Sequence, residues 1–242
     1  MGQRFLRSRK VRDKIIAAAE LSKNDTVLEV GPGEGFLTEA LAAHAGRVIA
    51  IEKDMRFVAL LKEKFCNAEN VEIIEGDILK IQNSKINPPV GGQNSKFKIV
   101  ANIPYYFTSR FLRLTLEAEQ RPELMVLMVQ KEVADRLTAK PLHMNMLGLS
   151  VQAFAKVKRI APVPRGAFSP PPRVDSAVVK IFDISNDFFE KHHINQKQFF
   201  ALARRAFAQK RKMLSNSLGL KGDTRRPQEL SLEDWARLAE TN

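Results

Sequence analysis

Asn102-Ile103-Pro104-Tyr105-Tyr106 sets an amide, a proline and two aromatic rings directly behind a short apolar run, Ile99 to Ala101. Those residue types suit chemistry on an exocyclic amine. The amine of adenine is a poor nucleophile because its lone pair is delocalised into the ring. Acceptors for its N–H groups restore tetrahedral character. The Asn102 side-chain oxygen and a backbone carbonyl near Ile103 can serve as those acceptors, and Pro104 brings no competing donor. Tyr105 can stack on a base, which contributes about 1–3 kcal/mol. The same five residues also make an ordinary strand-exit turn, with proline fixing φ and aromatics covering a sheet end.

A second stretch, Val27-Leu28-Glu29-Val30-Gly31-Pro32-Gly33-Glu34-Gly35, reads as a buried strand closed by three glycines before an amphipathic run that begins at Phe36. Glycine there allows φ > 0 and close approach of a ligand, and the following helix start offers free N–H groups. Glu52 ends the next apolar run, where an acidic residue holds ribose hydroxyls in doubly wound folds. The spacing is G-x-G-x-G, not the G-x-G-x-x-G of a dinucleotide site, so a nucleoside ligand is favoured over a pyrophosphate. A plain strand-to-helix turn is the competing reading. Asp77 follows Gly76 after a third apolar run. Ligands of open α/β sheets bind at the carboxyl ends of strands, so Glu29, Glu52, Asp77 and Asn102 converge on one crevice.

The elements that must position these groups alternate: strands at 27–30, 48–52, 71–75, 99–101 and 124–129, and helices at 36–44, 56–65 and 109–117. That rhythm predicts an α/β fold with a mainly parallel sheet covered on both faces. Near the N-terminus, Val11, Ile15 and Ala19 share a helical face. The run 82–95, rich in Asn, Ser, Pro and Gly, reads as a surface loop. A strand at 177–182 is followed by helices at 195–208, 212–220 and 231–239, so the chain divides into residues 1–184 and a small helical domain, 185–242. Arg204, Arg205, Lys210, Arg211 and Lys212 form an acid-free basic cluster that a Phe199/Phe200/Phe207 stripe turns outward, either an RNA-binding face or a solvated one.

The 242 residues carry 39 basic and 27 acidic side chains, a formal net charge of +12, which points to a polyanionic partner. One cysteine, Cys66, excludes an internal disulfide and suits a reducing, cytoplasmic setting. The longest apolar stretches fall far short of a membrane span, and no signal-peptide core is present.

Taken with Glu29 to Gly35, Asn102-Ile103-Pro104-Tyr105 resembles the adenine-N6 methyltransferases that use S-adenosylmethionine. More narrowly, it resembles the ribosomal RNA adenine dimethyltransferases of the small subunit. Gly2-Gln3-Arg4-Phe5-Leu6 is similar to that family's opening motif, with Arg4 in place of the usual Asn or His. Residues 163–176 resemble its proline-rich loop, and 207–218 with 226–231 resemble its small C-terminal domain, whereas Lys140 to Met146 departs from its pattern. The resemblance implies a Rossmann-like methyltransferase domain that dimethylates adjacent adenines of small-subunit ribosomal RNA. It assigns S-adenosylmethionine to Gln3, Leu6, Glu29, Gly31, Gly33, Gly35, Glu52, Asp77 and Asn102, and the target adenine to Asn102, Tyr105 and Phe168. No metal is implied. The expected partner is small-subunit RNA or a precursor particle, bound by a monomer. A large-subunit methyltransferase conferring macrolide resistance, a non-catalytic assembly factor and a DNA adenine methyltransferase are the alternatives.

Overall fold

A computed structural model describes residues 4–78, 96–103 and 107–240. The run 82–95 and Tyr105 therefore lie outside the described residues. In chain order the elements are β1 (Phe5–Leu6), α1 (Arg9–Ala19), β2 (Thr26–Val30), α2 (Phe36–His44), β3 (Arg47–Glu52), α3 (Met55–Lys64), β4 (Val71–Glu75), β5 (Phe97–Asn102), α4 (Thr108–Leu116), β6 (Leu124–Gln130), α5 (Lys131–Leu137), α6 (Met146–Gln152), β7 (Lys156–Val163), β8 (Phe168–Ser169), β9 (Ser176–Phe182), α7 (Asp187–Lys191), α8 (Gln196–Ala208), α9 (Leu214–Ser217) and α10 (Leu232–Glu240).

Seven strands form one sheet in the order β4-β3-β2-β5-β6-β9-β7, with parallel pairing from β4 through β6 and β9 antiparallel to β6. β2, β3 and β6 are near-continuous apolar runs because both faces of a parallel sheet are covered. Leu28 is paired with Ile49 on one side and Ile99 on the other, and all three are almost fully buried. Helix α1 begins where the Ser8 hydroxyl accepts the Val11 N–H at 3.4 Å, and it buries Val11, Ile15 and Ala19, the face expected from their spacing. The chain leaves β2 toward β3 on one side and reaches β5 on the other, so the sheet order reverses between β2 and β5. That switch point opens a crevice at the strand ends. Val30 is in register with Ala101 there, which places Gly31 beside Asn102.

The chain packs as two compact units, one of residues 1–134 and 158–182, the other of 135–157 and 183–242. This division differs from the contiguous boundary at 184, since residues 135–157 group with the C-terminal helices. The Met144 N–H donates to Gln228 O at 3.1 Å, and the Phe154 ring lies 5.0 Å from Phe189 and 5.8 Å from Phe200. The second unit is mainly helical, as expected, but the helix anticipated over 212–220 shortens to Leu214–Ser217. Ser215, Asn216 and Ser217 are weak helix formers, and Gly219 and Gly222 have left-handed backbone at φ 78° and 82°.

Candidate active site

A cleft of about 1730 Å³ opens at the switch point within the first unit. Four strand ends and the N-terminal segment supply its polar groups. The glycine loop turns as its composition requires: Gly31, Gly33 and Gly35 have φ of 72°, 56° and 78°. At Gly33 a Cβ would meet the Phe5 ring at 2.9 Å, so the residue is glycine for space as well as for backbone. Gly35 caps α2 without a side-chain hydrogen bond, and the first helical bond runs from Glu39 N–H to Gly35 O at 3.1 Å. The amides ahead of that bond are turned toward the helix N-terminus, where the backbone dipoles favour an anion.

Glu29 is the penultimate residue of β2, 2% exposed, yet lines the cleft. Its Oε2 has no hydrogen-bond partner. Burial pushes its carboxyl up from 4.5 to about 8, with the nearby Glu52 charge acting in the same direction and Thr38 against it. An acceptor of this kind beside uncapped helix amides suits a ligand that carries both an ammonium and a carboxylate.

Glu52, 4% exposed, has three backbone donors: Lys53 N–H at 2.8 Å and Asp54 N–H at 3.0 Å on Oε1, and Gly33 N–H at 3.1 Å on Oε2. It thereby ties the end of β3 to the glycine loop. A carboxylate has about four lone-pair sites, so capacity for a further donor is left. Asp77 is half-buried and its Oδ2 accepts from Lys53 Nζ at 3.0 Å. That ion pair had no signature in the sequence, since the two residues belong to neighbouring strand ends.

Asn102 closes β5. Its Nδ2 donates to Arg4 O at 3.4 Å, which leaves the side-chain oxygen as the acceptor. The N-terminal segment is held over the cleft by antiparallel pairing of β1 with β8, Leu6 opposite Phe168, and by Arg7 N–H to Ala167 O at 2.8 Å. Leu6 and Phe168 are 6% and 5% exposed and both line the cleft. Arg4, which departs from the family motif and was no candidate, also lines it, and its guanidinium donates to the Pro171 carbonyl. Leu6, Glu29, Gly31, Gly33, Glu52, Asp77, Asn102 and Phe168 therefore share one cleft. Gly35 stands behind it, where its Cβ position meets Phe65 and Leu61. Gln3 and Tyr105 lie outside the described residues.

In the second unit Arg204 and Arg205 are exposed on α8, and Lys210, Arg211 and Lys212 are exposed beyond its end. Arg205 Nη2 also donates to Leu218 O at 3.0 Å. Phe199 and Phe200 are buried, and Phe207 is half-buried against Trp235 at 5.5 Å, so the stripe packs inward as the spacing requires. Among the described residues, no group of three or more His, Cys, Asp or Glu is placed to hold a metal, and no helix is long and apolar enough to cross a membrane.

A family model for ribosomal RNA adenine dimethylase matches residues 1–240. A Dehalococcoides mccartyi protein named ribosomal RNA small subunit methyltransferase A is 44% identical over 255 residues, covering 98% of this chain and 86% of that protein. A protein of the same name from Pelotomaculum thermopropionicum is 39% identical, with 100% of this chain and 90% of that one covered. Among solved structures, a dimethyladenosine transferase from Plasmodium falciparum is similar with a TM-score of 0.82 and 28% identity over 97% of this chain and 95% of that one. The 23S rRNA methyltransferase ErmE gives a TM-score of 0.75 and 26% identity, with 98% of each chain covered.

Proposed function

The chain belongs to the ribosomal RNA adenine dimethylase family, and on that premise we propose that it transfers two methyl groups from S-adenosylmethionine to N6 of adenines in small-subunit ribosomal RNA. The observation that carries this reading is the convergence of Glu29, Glu52, Asp77, Asn102 and Phe168 on one cleft at the sheet's switch point. The choice of the small subunit follows the curated relatives, which bear that name at up to 44% identity, against 26% for the large-subunit enzyme ErmE.

The donor set fits the cofactor. The unpartnered Glu29 oxygen would take its ammonium, the uncapped amides of α2 its carboxylate, Glu52 its ribose and Asp77 its adenine amine, in exchange with Lys53. Gln3 and Leu6 would close over it. When bound, it supplies an electrophilic methyl on a sulfonium whose leaving group is a neutral thioether. Asn102 accepts one N–H of the target amine and so turns the nitrogen lone pair toward the cleft. Phe168 stacks on the flipped adenine, and Tyr105 takes its other face. A splayed RNA base needs only a few kcal/mol, about what two stacking contacts return. Orientation does most of the work, and the surplus proton leaves to water, so neither a strong base nor a metal is required. For the second transfer the monomethylated amine keeps one N–H on Asn102. Arg204, Arg205, Lys210, Arg211 and Lys212 bind phosphates, and the enzyme works as a cytoplasmic monomer on the RNA or on a precursor particle.

The test is methyl transfer from labelled S-adenosylmethionine to under-methylated small subunits and, in parallel, to large-subunit RNA, followed by nucleoside mass analysis. Dimethyladenosine from the small subunit alone is expected. Product from large-subunit RNA would move the enzyme to the resistance class, and cofactor binding without product would favour an assembly factor.

A further inference from the structure

Four described non-glycine residues have left-handed backbone. Glu20, Asp183 and His193 carry polar side chains, whereas Leu142, at φ 79°, is aliphatic. The Lys140 carbonyl accepts the His143 N–H at 3.0 Å, so residues 140–143 form a tight turn with Pro141 second and Leu142 third. With proline second and φ > 0 third, such a turn calls for Gly or Asn at the third position, because a left-handed leucine sets its Cβ against the following carbonyl. Leu142 gains little from the fold in return, being 65% exposed.

The turn is also firmly mounted. Beyond it, Met144 N–H donates to Gln228 O at 3.1 Å. The Asn145 side chain donates to Arg136 O at 2.9 Å and accepts the Gly148 N–H at 3.0 Å, capping α6. A strained, exposed and well-anchored apolar side chain points to a use outside the fold. The surrounding charge says which. Residues 136–145 contain Arg136, Lys140 and His143, all exposed, and no acid. Exposed Arg226 begins the turn that receives Met144, and the Glu229 carboxylate there is engaged by the Arg226 backbone N–H at 2.9 Å. Asp135 precedes the basic stretch on α5.

We propose that Leu142 is an apolar wedge with which the smaller unit seats on structured RNA. Its side chain meets ribose and base edges in the wide, shallow minor groove, while Lys140, Arg136 and Arg226 take the flanking phosphates. This seating deepens the ribosomal RNA reading and rests on it. It uses none of residues 204–212 and none of the residues that line the cleft.

The test compares the full chain with Leu142→Gly and Leu142→Asn by thermal melting, by affinity for protein-free small-subunit RNA and for under-methylated small subunits, and by methyl transfer. Both variants suit left-handed backbone. They are expected to melt at or above the wild type, to bind both substrates about tenfold more weakly, equivalent to about 1.4 kcal/mol, and to keep kcat. Unchanged affinity, or a lower melting temperature for both variants, overturns the proposal. Weakened binding to particles with unchanged binding to protein-free RNA would make the partner surface a ribosomal protein and overturn the RNA assignment. A wild type that binds RNA without methylating it refutes the function proposed above, while the affinity comparison still decides the role of Leu142.

Discussion

Replacing Glu29 by Gln probes a pronounced electrostatic tension at the cleft. The carboxyl is buried in β2 with one oxygen unpartnered, and its pKa rises from 4.5 to about 8 in the folded chain. A raised carboxylate pKa means that folding favours the protonated form. The native state is therefore penalised as pH rises from about 4.5, and the penalty is complete above about 8. At about 1.4 kcal/mol per pH unit the full shift corresponds to about 5 kcal/mol, and to about 3 kcal/mol at pH 7. Gln removes the ionisation but brings an amide that needs its own partners, which costs about 1 kcal/mol. A net gain of about 2 kcal/mol at pH 7 follows, worth about 4–8 °C in melting temperature for a chain of this size, and it grows to about 4 kcal/mol above pH 8. Near pH 5 the gain disappears. The assay is a pair of melting curves for wild type and Glu29→Gln between pH 5 and 9. Parallel curves would refute the reasoning, since they would show that Glu29 is ionised in the folded state at no cost. Calorimetry of cofactor binding in buffers of different ionisation enthalpy reads the same group from the other side. An ammonium seated on Glu29 should expel up to one proton at pH 7 in the wild type and none in the variant.

Asn102→Ala should lower kcat by about 10²–10³-fold at saturating cofactor, the effect of removing one preorganised hydrogen-bonding group from a reacting centre, and near-normal turnover would dismiss it as a catalytic residue. Gly33→Ala forces a Cβ to 2.9 Å from the Phe5 ring at a backbone φ of 56°. It should destabilise the chain by about 1–3 kcal/mol and weaken cofactor binding, as melting and calorimetry would report. Changing Arg204, Arg205, Lys210 and Arg211 to Ala should weaken RNA binding and reduce the slope of log affinity against log salt by about 0.7–0.9 for each phosphate no longer neutralised; an unchanged slope would make the cluster a solvated surface.

The methyltransferase unit was readable because its parts announce themselves locally. β3 and β6 carry unbroken apolar runs and β2 is broken only by Glu29, and three alternate glycines between Val30 and Phe36 permit the left-handed backbone that a sharp turn under a ligand needs. Asn102, Asp77 and Glu52 could be gathered without coordinates because a parallel sheet puts its carboxyl ends on one edge. What escaped is what depends on distant partners. β1 and β8 are two residues each, too short for any periodicity, and exist only because they pair with one another. The Lys53–Asp77 pair and the Arg4 hydrogen bonds join residues whose spacing carries no pattern. The membership of 135–157 was hidden for the same reason, since Phe154 meets its ring partners only after the chain has completed β9.

The way the chain is divided shapes its synthesis. The smaller unit is assembled from two stretches separated by β7 to β9, so the backbone passes from one unit to the other three times. Phe154 emerges 46 residues ahead of Phe200. At 5–20 residues per second it waits about 2–9 s for the ring that will cover it. During that interval Leu147, Leu149 and Phe154 are apolar groups without a home, and the nascent chain must hold them apart from one another and from neighbouring chains. The inserted unit cannot be detached by a single cut near residue 184 either. Such a cut leaves the first stretch behind with its apolar face uncovered, so fragments ending there should be recovered mainly as aggregates.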